Sequence, residues 1–140
     1  MLDTPRSPLR RLLYISTARQ MLSAAEQESV LRSSRRNNAA RGITGLLITG
    51  GRRFLQVLEG PADAVATAFD IIKDDPRHFA VVVLSDQAVT DRAFPNWAMG
   101  HQAGAVDAGD RAGIAELIAP ITDPTLRAYF EGFAEVHGAP

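Results

Sequence analysis

The chain contains no cysteine, which excludes disulfides, thiol nucleophiles and thiolate metal sites together. It also lacks an apolar run of the roughly 18 residues that a membrane-spanning helix requires. Neither sign of charge dominates, with 15 Lys and Arg against 16 Asp and Glu and a net charge of −1. A nucleic-acid backbone therefore finds no broad basic field here. Arg32, Arg35, Arg36 and Arg41 do cluster, and a solvated helix face accounts for them. No glycine-rich loop cradles a phosphate, because Gly42-x-x-Gly45 reads as a turn between a helix and a strand. No spacing of His, Asp and Glu suits a metal ion. The opening MLDTPRSPLRR has no apolar signal segment, so residues 1–10 read as a loose leader and the cytoplasm is the expected compartment.

What is present is an ordinary globular composition, 46% hydrophobic and 22% charged over 140 residues, enough for one domain with a real core. Residues 11–17 (RLLYIST) read as a first strand. Ser23 and Glu26 form the sequence signature of a capping box, and a helix should run from about Ala24 to Ala40 and stop at Gly42. Residues 43–49 and 52–59 read as a hairpin turning at Gly50-Gly51. Pro61 suits the first turn of a second helix, whose Val65, Phe69 and Ile72 share one face and which ends at Asp74-Asp75-Pro76. The run FAVVVLS, residues 79–85, reads as a strand buried on both faces. A short fifth strand is expected at Trp97–Gln102.

This order is β-α-β-β-α-β with an added fifth strand, an α+β, ferredoxin-like pattern that places both helices on one face of the sheet. The segment 105–140 is a helical extension to the domain at 11–104. In it, Ile114, Leu117, Ile118 and Ile121 form one stripe and Leu126, Phe130 and Phe133 another. Such stripes must cover either the open sheet face or another subunit.

Gln56 is out of place among these elements. Strand alternation puts it on one face with Phe54 and Leu58, yet a buried carboxamide without partners costs about 1–3 kcal/mol. Other directional groups fall on the interior faces. Tyr14 shares parity with Leu12 and Ser16, and Leu31, Ser34 and Asn38 line one helix stripe. Asp75, Arg77 and His78 follow the second helix, while Trp97 and Met99 share a face of the last strand. Tyr, Gln, Asn and Ser do not make a hydrolytic triad. They suit a planar heterocycle with several edge donors and acceptors, in a mostly apolar slot.

The segments Y-I-S, R-R-N-N-A-A-R-G-I-T-G, F-L-Q-V-L-E-G-P, D-D-P-R-H and F-P-N-W-A-M-G together resemble the BLUF family, the sensors of blue light using flavin, from about Leu12 to Gly104. The resemblance implies a non-enzymatic photoreceptor that binds a flavin, FAD in the first place, with FMN and riboflavin sharing the same ring. By the same resemblance, Tyr14 matches the tyrosine that gives an electron and then a proton to the excited flavin. Gln56 matches the glutamine between that tyrosine and flavin N5 and O4, and Asn38 the asparagine on the O4/N3 edge. Ser34 and Asn37 lie near the ring on the same helix, and Asp75, Arg77 and His78 flank its other edge. Val30, Phe54 and Ile72 would pack on the ring. Trp97 and Met99 match a pair that exchanges places near the glutamine. The resemblance is to a short stand-alone member, signalling through a downstream protein partner or its own oligomer. Two alternatives of other classes are a ferredoxin-like hydrolase of the acyl-phosphate type and a cofactor-free partner-binding module. The hydrolase would need an anion-binding loop, and Ser16–Met21 carries no glycine to build one.

Overall fold

In the computed structural model, the described residues are 9–20, 23, 25–26, 29, 36, 40–50, 52–93, 105–107, 118–119 and 121–137. They form strands β1 (Leu9–Ala18), β2 (Thr44–Gly50), β3 (Arg53–Gly60), β4 (His78–Val89) and β5 (Ala105–Asp107), with helices α1 (Ala62–Lys73) and α2 (Pro124–His137). The strands make one sheet in the order β4-β1-β3-β2-β5. The β4-β1-β3-β2 part is antiparallel throughout, the arrangement expected of a ferredoxin-like α+β fold. β5 adds to the far edge, parallel to β2 over Leu47–Thr49. It begins at Ala105, inside the segment assigned to the helical extension; the strand expected at Trp97–Gln102 lies outside the described residues.

Local chemistry explains the element ends. Ser23 and Glu26 form a reciprocal capping box: the Glu26 N–H donates to Ser23 Oγ at 3.1 Å, and the Ser23 N–H to Glu26 Oε1 at 2.8 Å. These bonds hold the Glu26 carboxyl below its usual range. Residues 25–26, 29, 36 and 40 are helical, within the span expected for the first helix. Gly42 follows with φ +72°, a left-handed conformation that glycine adopts without strain. Pro61 takes the cap position before α1, one residue earlier than expected, and its carbonyl accepts from the Val65 N–H at 3.0 Å.

The two sheet faces are covered differently. On one, Leu12, Tyr14, Ile43 and Leu58 pack against Val65, Ala68 and Phe69 of α1. On the other, Leu13, Leu46, Ile48, Leu55 and Val57 pack against Ile118, Ile121, Leu126, Phe130 and Phe133. The second stripe of the extension and the end of the first thus cover this chain's own sheet; Ile114 and Leu117 lie outside the described residues. Each large side chain so buried contributes about 1.5–3 kcal/mol. Asp123 starts α2 by accepting from the Thr125 and Leu126 N–H groups at 2.9 and 3.2 Å.

β4 departs from expectation. It is an edge strand, hydrogen-bonded to β1 alone among the described residues, and Phe79, Val82 and Val83 are 40%, 51% and 44% exposed. Its apolar run therefore does not mark burial on both faces. Two register shifts interrupt its pairing with β1, and Ala80 sits at φ +55°. Such bulges turn side chains away from a regular alternation and blunt an edge against further pairing.

Candidate functional site

Tyr14 and Gln56 are direct cross-strand partners on the α1 face of β1 and β3. The Tyr14 hydroxyl donates to Gln56 Oε1 at 2.5 Å, and both residues are 4% exposed. The Phe69 ring of α1 backs the tyrosine, with centroids 5.5 Å apart and planes tilted by 48°. Burial pushes the Tyr14 hydroxyl well above the ordinary tyrosine range, and the negative charge of Asp75 adds to the shift. The phenol therefore stays a proton donor. The tyrosine engages the amide oxygen, and among the described residues the two Gln56 N–H donors have no acceptor.

One step along β1, Ser16 is fully buried and pairs in register with Phe54, which is half-buried on the same face as Gln56. His78 joins this row from the start of β4. Its Nε2 lies 2.5 Å from the Ile72 carbonyl and its Nδ1 lies 2.9 Å from Ser16 Oγ. A carbonyl only accepts, so Nε2 carries the proton, and in the neutral ring Nδ1 accepts from the serine hydroxyl. Ile72 is half-buried against the Tyr14 core. Asp75 and Arg77 form a fork, with Arg77 Nε 2.9 and 3.0 Å from the two carboxylate oxygens and Nη2 2.5 Å from Oδ2. The guanidinium holds the Asp75 carboxyl below its usual range.

The structure thus brings Tyr14, Gln56, Phe54, Ile72, Asp75, Arg77 and His78 to the same sheet face and the loop that borders it. Val30, Ser34, Asn37, Asn38, Trp97 and Met99 lie outside the described residues. Ser16 was visible in the sequence only as a residue of the right parity, and its bond to His78 depends on the β1–β4 pairing. No group of His, Asp and Glu among the described residues could hold a metal ion. Nor is any described helix long and apolar enough to cross a membrane.

A buried phenol donating to a buried amide can present directional groups to the edge of a planar ligand. Comparison with known proteins identifies the ligand class. The family model for sensors of blue light using FAD matches residues 9–100. The chain belongs to the BLUF family. Residues 9–100 are a blue-light sensor domain of flavin-binding type.

Photoactivated adenylate cyclase subunit beta of Euglena longa is 38% identical over 92 residues, covering 66% of this chain but 11% of that protein. The chain therefore spans about a tenth of the length of that BLUF relative. Among solved structures, the dark state of the BLUF protein BlrB superposes with a TM-score of 0.71 at 27% identity, covering 92% of this chain and 97% of BlrB. Klebsiella pneumoniae BlrP1 with FMN and cyclic diGMP gives a TM-score of 0.74 at 27% identity, covering 91% of this chain and 34% of BlrP1. Family membership sets aside the hydrolase and cofactor-free alternatives.

Proposed function

We propose that Tyr14 and Gln56 are the light-driven switch of this BLUF photoreceptor. The reading rests on one observation, the buried Tyr14 hydroxyl donating to Gln56 Oε1. Bound flavin supplies the absorption of blue light and an excited ring that takes up an electron. Tyr14 would be the electron donor to such a ring, and Gln56, which accepts its hydroxyl, would carry the phenolic proton. Tyr14 would take both back, so the residues of this site would turn over no substrate. Gln56 would be left with its amide rotated or tautomerised, and a new bond from that amide to the ring would account for a small red shift. Each hydrogen bond exchanged is worth about 1 kcal/mol, enough to bias a bistable element.

The other residues hold the ring. Asn38, Ser34 and Asn37 would hold the ring's polar edge. Asp75, Arg77 and His78 would hold its other edge, and Val30, Phe54 and Ile72 would supply apolar contact to its faces. FAD is the proposed cofactor; FMN and riboflavin offer the same ring to the same residues. Trp97 and Met99 carry the change away from Gln56 to the C-terminal segment, and from there to a protein partner or a second copy in the cytoplasm.

An absorption spectrum before and after a blue pulse tests this reading, repeated on Gln56→Leu. The expected result is a flavin spectrum that shifts slightly red, recovers in the dark, and fails to shift in the variant. A colourless protein that also refuses added flavin overturns it.

A further inference from the structure

The strands that carry Tyr14 and Gln56 carry a second cross-strand pair on their opposite face. Arg11 and Glu59 stand directly across from each other in the β1–β3 register, each three residues from its switch residue. An odd separation along a strand turns the side chain to the other face, here the face covered by α2. Glu59 is 0% exposed, and its Oε2 accepts from Arg11 Nε at 2.7 Å.

The pair holds the two segments that follow the sheet. Glu59 Oε2 also accepts from the Ala93 N–H at 2.8 Å, just ahead of the segment with Trp97 and Met99. Arg92 fixes the same point, donating to Thr44 Oγ1, the Glu59 carbonyl and the Gly42 carbonyl at 2.7, 3.0 and 2.8 Å. On the other side, Arg11 Nη1 lies 3.7 Å from Asp123 Oδ2, while Asp123 Oδ1 caps α2. One carboxylate thus faces the arginine with one oxygen and starts the C-terminal helix with the other.

We infer that Glu59 and Arg11 are positioning residues that couple the Tyr14–Gln56 pair to the N-terminus of α2 and to the Ala93 connector. The inference rests on the photoreceptor reading. Three residues of extended strand span about 10 Å, and hydrogen-bonded neighbours do not shift independently over that length. A change in the Tyr14–Gln56 contact that displaces β3 against β1 is therefore shared by Glu59 and Arg11. The ion pair needs tight geometry to offset its desolvation, so a small displacement redistributes Arg11 between Glu59 and Asp123. Asp123 then holds the first turn of α2 more or less firmly. This route reaches the C-terminal helix through β1 and β3 and does not require Trp97 or Met99 to move.

The test uses the flavin-loaded full chain and two variants, Glu59→Gln and Asp123→Asn. Asparagine still caps a helix, so the second variant removes the attraction to Arg11 while keeping the α2 start. The readouts are the light-induced red shift and the light-minus-dark difference in hydrogen exchange over residues 124–137. Both variants should keep the wild-type red shift, since neither residue lies on the flavin face. Their exchange difference over α2 should fall about fivefold or more, the lower range of an allosteric coupling. A folded Asp123→Asn with full red shift and wild-type exchange difference overturns the inference, whether or not Glu59→Gln folds. A wild-type protein that shifts red without any light-dependent exchange in α2 overturns it too and leaves the photoreceptor reading standing. A wild-type protein that binds flavin without a red shift overturns both.

Discussion

The Tyr14 hydroxyl donates to the Gln56 amide oxygen across the β1–β3 ladder, inside the core that α1 covers. The bond fixes which end of the amide faces the tyrosine. Tyr14→Phe keeps the ring packed on Phe69 but removes the donor. It should leave flavin bound, abolish the reversible red shift, and cost about 1–3 kcal/mol for the partner lost to a buried amide. Absorption before and after a blue pulse, with urea denaturation in the dark, reads both effects. A Tyr14→Phe protein with a wild-type shift would remove the tyrosine from the switch.

The same burial makes stability depend on pH at the alkaline end. Folding raises the Tyr14 value, by desolvation first and the charge of Asp75 second. The contribution is fully present below the unfolded tyrosine value of about 10 and is lost as pH rises from there through the folded value, because the unfolded chain ionises first. Thermal unfolding from pH 9 to pH 11 should therefore show Tm falling more steeply for wild type than for Tyr14→Phe. Equal slopes would mean that the phenol ionises as readily in the folded protein as in the unfolded chain.

Strands β1, β2 and β3 and helix α1 were legible in the sequence because each is written in a local pattern. Val65, Phe69 and Ile72 repeat with helix spacing, and Tyr14 and Gln56 each share strand parity with apolar neighbours. The burial of β4 was not legible, because an apolar run is the same string in a central strand and at an edge. The number of neighbours is set by topology, and here it leaves Val82 and Val83 exposed. Glu59 was also hidden. Its parity put it opposite Gln56, but only the register brings Arg11 across from it and Ala93 onto its carboxylate. The motif residues of the candidate site could be picked out individually, whereas the Ser16–His78 contact needed two strands to be paired.

Two glycines should respond to alanine in opposite ways. A Cβ at Gly45 would collide with the Val57 carbonyl oxygen in the adjacent strand β3, a backbone atom that cannot move without opening the β2–β3 ladder. Gly45→Ala should cost about 3 kcal/mol or more, the upper range for overpacking. Gly132 lies inside α2, exposed, and a Cβ there meets nothing within 4 Å. Gly132→Ala should stabilise by about 0.5–1 kcal/mol through helix propensity. Urea midpoints that move in the same direction for both would contradict the β2–β3 approach or the open α2 face.

Phe130 separates the stability of the tail from the chemistry of the site. It is 0% exposed, in the core that α2 builds with Leu13, Leu55 and Val57 on the face opposite Tyr14. Phe130→Ala leaves a cavity in that layer and should cost about 3–5 kcal/mol. Leu13 and Leu55 alternate along the same strands with Leu12 and Gln56, so the two faces share a backbone but no side-chain contact is required between them. The variant should therefore unfold at lower urea and still give a red shift of wild-type size in whatever fraction is folded and flavin-bound. Loss of the shift in folded Phe130→Ala would mean that packing under α2 is needed to hold the Tyr14–Gln56 geometry itself, and not only to receive a signal from it.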